Sequence, residues 1–444
     1  MDRTRARVRA AGALAAVVAL TAAAAALRFW GLRFGLPDAM ARPDEEAITT
    51  IASRFILIGP NPNFFDYPTL FTYAVAFVER LWPGGQAVFD DTLPRLISRS
   101  IAAALGTASI PLVYLIGRRL FSMRAGLLAA AFLAIAFLHV RDSHFGVTDV
   151  PMTFMVVLAL LVIVAMPADR APWPMTAFAA VLCGLAASTK YNAALIVAPL
   201  VVAALQRSAR PWTYAVIAGG FVAGFLAGTP YALIARQKFF VDLLGLQSHL
   251  SSGHAVDEGV GWVHHLTFSL RYGLGLPLLL TSLAGVVWVV VAERRVAWVL
   301  LAFPVLYYAG MGSGRTVFMR HMTPIVPFAA LFAAFALDQG AAFLDGARGF
   351  SRAIGGMSTA LVAILAIAIG YDSAQRSVAL DRLLSEPDSR TVAAAFMRSP
   401  CTSRTRLAAK PPSSAVRTRD PSTPAFLARA RASLTPASAP PIAT

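Results

Sequence analysis

A chain of 444 residues with 57% hydrophobic and only 14% charged side chains, at a mean hydropathy of +0.64, has too little polar surface to stay in water. Repeated apolar runs near twenty residues instead point to an all-α, polytopic integral membrane protein. The formal net charge of +16 falls into short Arg clusters between those runs, which is the positive-inside pattern rather than a footprint for nucleic acid.

Arg3, Arg5, Arg7 and Arg9 precede an apolar run from Ala10 to Leu27, so the start is expected in the cytoplasm and the run crosses outward. A cleaved signal peptide is the alternative, and it too leaves the next segment outside. That segment holds Pro43 and the acids Asp44, Glu45 and Glu46. Such a pattern suits a plain helix N-terminus, where acids complement the backbone donors. The turn Asp66-Tyr67-Pro68 into an aromatic apolar helix gives the loop more shape than a connector requires. Tyr67 to Leu81 is apolar but short and ends in Glu79 and Arg80. It reads as an interfacial helix on the outer leaflet, and only a non-spanning segment here places the later Arg clusters inside.

Further spans are expected at 95–120, 125–140, 150–166, 173–188, 191–205, 212–233, 266–292, 296–311, from Arg320 to near Asp338, and at 354–371. With the first run they make eleven, the inner turns rich in Arg and the outer loops holding the acids, the histidines and Lys190. The outer segments include Arg141 to Asp149 and a long polar loop, Arg236 to His265, with His249, His254, Asp257, Glu258, His264 and His265. Those histidines lack a standard ligand spacing, so an acceptor-facing loop is expected and no metal or cofactor is. Residues 1–372 form the expected membrane domain, 373–400 a short extracytoplasmic helical segment, and 401–444 a disordered tail rich in Ser, Pro, Ala and Arg.

Neither cysteine sits in a CxxC spacing, and Gly-rich phosphate loops, HExxH and nucleophile elbows do not occur. The informative residues are charged ones near lipid. Placing a Lys such as Lys190 within the bilayer costs about 2.5 to 3.5 kcal/mol on insertion scales, which makes it a functional candidate, against simple snorkelling at a helix end.

Five blocks together resemble a family. They are Arg42-Pro43-Asp44-Glu45, Phe65-Asp66-Tyr67-Pro68-Thr69-Leu70, Arg141-Asp142-Ser143-His144-Phe145-Gly146-Val147-Thr148-Asp149, Gly184 to Asn192, and Phe318-Met319-Arg320-His321-Met322-Thr323-Pro324. Their order is similar to that of GT-C fold glycosyltransferases, nearest the bacterial protein-mannosyltransferase and aminoarabinose-transferase-like branch. The resemblance implies transfer of a sugar, with inversion, from a polyprenyl-phosphate carrier to an extracytoplasmic acceptor at an inner (plasma) membrane. It implies Asp44 as the catalytic acid position with Glu45 beside it, Asp149 as the second acidic position, and His144 near the carrier phosphate. Asp66 and Tyr67 stand where aminoarabinose-transferase relatives have an acid-Lys-Pro-Pro turn, so a phosphate contact from that Lys is absent here. A folded outer domain of the kind relatives carry is not expected after Arg398.

The chemistry needs a base for the acceptor hydroxyl, which a partly desolvated carboxylate supplies. It also needs cations where charge develops on the leaving phosphate, for which Lys190, His144, Arg320 and Arg141 are the candidates. The alternatives are a lipid-linked sugar transporter or flippase, which has no reason to keep an acidic pair in the first outer loop, and a structural subunit, which tolerates loss of Asp44 and Asp149.

Overall fold

Apolar runs separated by Pro, Gly and charged turns fold into helices throughout the computed structural model, which describes residues 2–37, 42–83, 90, 92–252, 261–347 and 352–398. In chain order these are α1 (Asp2–Phe29), α2 (Pro43–Ile58), α3 (Leu70–Leu81), α4 (Leu93–Leu120), α5 (Met123–Ile135), α6 (Phe137–Asp142), α7 (Asp149–Ala165) and α8 (Trp173–Ala187). A 3-10 turn, Tyr191–Ile196, leads into α9 (Val197–Gln206), followed by α10 (Pro211–Gly228), α11 (Tyr231–Ile234) and α12 (Arg236–Ser252). Next come α13 (Gly261–His264), a π-helical segment His265–Leu270, α14 (Arg271–Leu274), α15 (Leu276–Ala292) and α16 (Arg294–Ser313). A second 3-10 turn, Met319–Ile325, precedes α17 (Val326–Ala347), α18 (Arg352–Ser385) and α19 (Ser389–Arg398).

Six described helices are long and apolar enough to cross a bilayer, or seven if the pair Gly261–Leu274 and Leu276–Ala292 counts as one span. That pair bends by 114° at Gly275, whose φ of +81° is open to glycine and strained for other residues. Four shorter apolar helices, Met123–Ile135, Asp149–Ala165, Trp173–Ala187 and Tyr191–Gln206, fall below that length. A polytopic all-α membrane protein is thus what forms, and its qualifying helices are fewer than the eleven expected.

The main core runs through α4, α5, α7, α8, α9, α16 and α17, with Ile110, Phe132, Leu160, Cys183, Leu200, Phe303 and Phe328 all buried. A second, smaller core joins α2 and α3 to the start of α4 through Ile48, Phe55, Phe71, Val75 and Ile97. At 12 residues, α3 reaches about 18 Å, short of a hydrocarbon core of about 30 Å. Its buried residues Phe71, Thr72, Val75, Ala76 and Glu79 form one helical stripe, as an interfacial amphipathic helix requires.

The Arg-rich turns gather at one end of the bundle. There Arg119 donates to the Val164 and Ala165 carbonyls, Arg207 to that of Pro167, Gln206 to that of Arg295, and Arg124 pairs with Asp338 at 2.6 Å.

Two expectations need correcting. The long polar loop begins as helix α12, because Phe239, Asp242 and Leu243 recur at helical spacing and dock on Phe65 and the end of α10. The last apolar helix does not stop at Tyr371 but continues to Ser385, its polar half held by Ser373 and Ser377 against α5 and α6. Residues 401–444, with His254, Asp257 and Glu258, lie outside the described residues. Residues 1–392 cluster as one compact unit and 393–444 as another, of which only 393–398, the end of α19, are described.

Candidate active site

The three acids of α2 point three ways. The helix starts at Pro43 after an extended Arg42 that makes no side-chain cap, so the acids of the first turn compensate the free backbone donors. Glu45 turns inward, 1% exposed, to a bidentate pairing with Arg99 at 2.8 and 2.7 Å. The Gly146 amide donates to the same carboxylate at 2.8 Å, an approach that a Cβ on Gly146, colliding with Ser98, would prevent. Arg99 in turn donates to the Leu32 and Phe34 carbonyls. Glu46 pairs with Arg95 at 2.7 Å on both arms. Asp44 keeps 24% of its side chain exposed and lies 2.9 Å from Arg320.

Arg320 comes from the second 3-10 turn and stacks over the Phe318 ring at 4.4 Å. Besides Asp44 it feels Asp149, Tyr67 and Asp142. Asp149, the first residue of α7 and 2% exposed, binds Lys190 at 2.6 Å. Tyr67 hydrogen-bonds Asp44, and burial first, then the Asp44 charge, pushes its phenol above its ordinary pKa. The Tyr67 turn is clamped in place by neighbours: the Phe65 amide donates to Asp242 at 2.8 Å, Tyr191 donates to the Phe65 carbonyl at 2.8 Å, and Thr69 donates to that of Gly228 at 2.8 Å.

Asp142 completes the cluster. It accepts from Arg141 at 2.8 Å and Thr323 at 2.6 Å and lies 4.0 Å from Arg42. Arg42 stacks on Phe145 at 3.7 Å. Burial lowers its pKa despite the opposing pull of Asp142. Four cations, Arg42, Arg141, Lys190 and Arg320, thus meet three carboxylates, Asp44, Asp142 and Asp149, leaving one net positive charge to attract a phosphate.

Of the residues singled out from sequence, Asp44, Tyr67, Arg141, Asp149, Lys190 and Arg320 come together. Asp66 lies near Tyr191, on the α12 side of the same turn. Glu45 is spent on Arg99. His144 is turned away: fully buried, it contacts the Val140 and Trp30 carbonyls at 2.9 Å each and lies 3.4 Å from Asp381. Sequence reasoning passed over Arg42 and Asp142 as site residues. Arg42 and Asp142 lie inside quoted motifs, and Arg99, a charge inside a long apolar helix, carried the signal of a costly buried ion. Among the described residues no group of three or more His, Cys, Asp or Glu side chains is placed to hold a metal.

A family model described as dolichyl-phosphate-mannose-protein mannosyltransferase matches residues 48–219. No curated protein sequence matches the chain. Among solved structures it is similar to the Archaeoglobus fulgidus oligosaccharyltransferase in the apo form, at TM-score 0.59 and 16% identity over 88% of this chain and 58% of that one. It is also similar to ArnT from Cupriavidus metallidurans bound to undecaprenyl phosphate, at TM-score 0.58 and 17% identity over 83% of this chain and 76% of that one. The chain therefore spans less than two thirds of the oligosaccharyltransferase. The chain thus shares the GT-C fold of these membrane proteins. The likeness to the mannosyltransferase family model covers less than half of the chain, in the branch that its motifs resemble.

Proposed function

We propose that the chain is an inverting glycosyltransferase that moves a sugar from a polyprenyl-phosphate carrier to an acceptor on the extracytoplasmic side. The observation that carries this reading is the pairing of Asp44 with Arg320 beside Asp149 with Lys190. One carboxylate is partly exposed, and cations that suit a phosphate lie next to it. Asp44 accepts the proton of the acceptor hydroxyl as its oxygen bonds to the anomeric carbon. The bond from that carbon to the carrier phosphate breaks, and the phosphate leaves with the electron pair. Lys190 and Arg320, with Arg42 and Arg141 at the rim, stabilise the charge that develops.

Arg320 has a double task, since a phosphate competes with Asp44 for its guanidinium. As the phosphate draws Arg320 away, the Asp44 lone pair is released, which couples donor binding to activation of the base. Asp149 fixes the Lys190 ammonium, and Tyr67 fixes Asp44. Glu45 and Arg99 hold α2 to α4 and act as positioning residues.

For topology we propose eleven spans, the seven long ones and the four shorter apolar helices together, with the N-terminus cytoplasmic. The site supports this count, because Asp44, Asp149, Lys190 and Arg320 follow the first, third, fifth and ninth of these spans and meet at one end. The Arg-rich turns lie at the other end, as the positive-inside rule requires of the cytoplasmic face.

The test is transfer by purified protein from a panel of polyprenyl-phosphate sugars. Asp44→Asn is expected to slow turnover by about 10² to 10⁴ while binding of sugar-free polyprenyl phosphate persists. A carrier-lipid transporter makes no product with any donor, and unchanged turnover in the variant removes Asp44 from the mechanism.

A further inference from the structure

Behind the Asp149–Lys190 pair, three buried polar atoms have no partner: Asn192 Oδ1, His265 Nε2 and His321 Nδ1. His265 is 0% and His321 6% exposed, so these are costly orphans unless a ligand or ordered water meets them. Each comes from a break in regular α-helix. Asn192 and His321 sit in the two 3-10 turns, and His265 opens the π-helical segment. Non-helical backbone at membrane depth persists where it lines a cavity, and π-bulges recur at functional sites.

The two histidines adjoin each other, and Asn192 is linked through Tyr307 to the same Asp149. The His265 and His321 rings lie 6.1 Å apart at 63°. His321 is within Coulombic reach of Lys190, Asp149 and Arg320. Asn192 donates to the Tyr307 hydroxyl at 3.0 Å, and Tyr307 in turn feels Asp149. On the far side, His265 Nδ1 is held by the Ser269 hydroxyl at 3.1 Å.

The chemistry of the orphans narrows the ligand. Asn192 Oδ1 can only accept, while a neutral imidazole nitrogen donates or accepts by tautomer. A hydroxyl serves both needs. A phosphate oxygen cannot donate to Oδ1, and Lys190 and Arg320 already answer its charge. We propose that Asn192, His265 and His321 form the subsite for the hydroxyls of the transferred sugar and so decide which sugar the site accepts. This inference rests on the transferase reading, and it assigns specificity to residues outside the base and the phosphate cations.

The test compares binding of sugar-free polyprenyl phosphate with binding of the same carrier bearing mannose, glucose or galactose, using full-length protein in detergent. Wild type is expected to bind at least one sugar-bearing carrier about tenfold or more tighter than the bare one. His265→Leu and Asn192→Leu are each expected to lose most of that gain while their affinity for the bare carrier stays unchanged. His265→Gln, which keeps a hydrogen-bonding group, recovers part of it. If His265→Leu does not fold, the half-buried Asn192 carries the test. An unchanged gain in both Leu variants overturns the proposal, with water satisfying the orphans. So does a parallel loss of affinity for the bare carrier, or a wild type that draws nothing from any sugar. Failure of the transferase reading has a different signature: sugar-dependent binding with no product.

Discussion

On the first turn of α2, the direction of each side chain separates chemistry from scaffolding. Asp44 stays partly exposed beside Arg320, whereas Glu45 meets Arg99 with both side chains 1% exposed. Removing one member of such a buried pair costs about 3 to 5 kcal/mol, because the other charge is left uncompensated. Glu45→Gln is therefore expected to lower the melting temperature in detergent well below that of Asp44→Asn, and equal melting of the two variants would contradict the assignment. Lys190→Met should weaken binding of sugar-free polyprenyl phosphate by about tenfold or more, which direct binding measures. At this scale much was legible. Lys190 and Arg320 stood out because charges are costly beside lipid, and Asp44 and Asp149 because their motifs resemble the glycosyltransferase blocks. The inward turn of Glu45 and the burial of His144 were not legible, since adjacent residues on a helix differ only in which neighbour they meet.

The α2–α3 hairpin shows how an element carries the site. Phe55, Phe71 and Val75 fix it on α4, and Glu79 closes it, fully buried with one oxygen near Ser53 at 3.2 Å and the other unpartnered. Burial raises the Glu79 pKa to about 7, partly opposed by Ser53. The folded state therefore binds this proton more tightly than the unfolded chain, so stability is greatest below the unfolded pKa of about 4.5 and declines as pH rises toward 7. Glu79→Gln, which stays neutral, should melt higher than wild type at pH 8, with the difference shrinking toward pH 5. A difference independent of pH would contradict this account. The hairpin was legible from its short apolar run. Helix α12 was not, because Arg236, Gln237 and Lys238 read as loop until Phe65 supplies the surface that Phe239 packs against. The 3-10 and π breaks were equally hidden, being set by what packs around them.

For the molecule as a whole, one end gathers the carboxylate and cation cluster and the other gathers Arg119, Arg124, Arg207 and Arg295. A cysteine at position 118 is accordingly expected to react only with reagents that enter the cytoplasm, and one at position 80 with reagents that do not. Reaction of position 118 from outside would invert the topology. The all-α membrane architecture followed from hydropathy alone. The number of spans did not, since four helices are shorter than a bilayer-crossing length and their placement depends on packing. The account rests on sugar transfer by a single displacement with Asp44 as base. Its most direct measurement is the anomeric configuration of the product formed from a polyprenyl-phosphate sugar of defined configuration, read by NMR for wild type and Asp44→Asn. Inversion by wild type, with product all but absent from the variant, is the expected result. Retention of configuration, or normal product from Asp44→Asn, would contradict it.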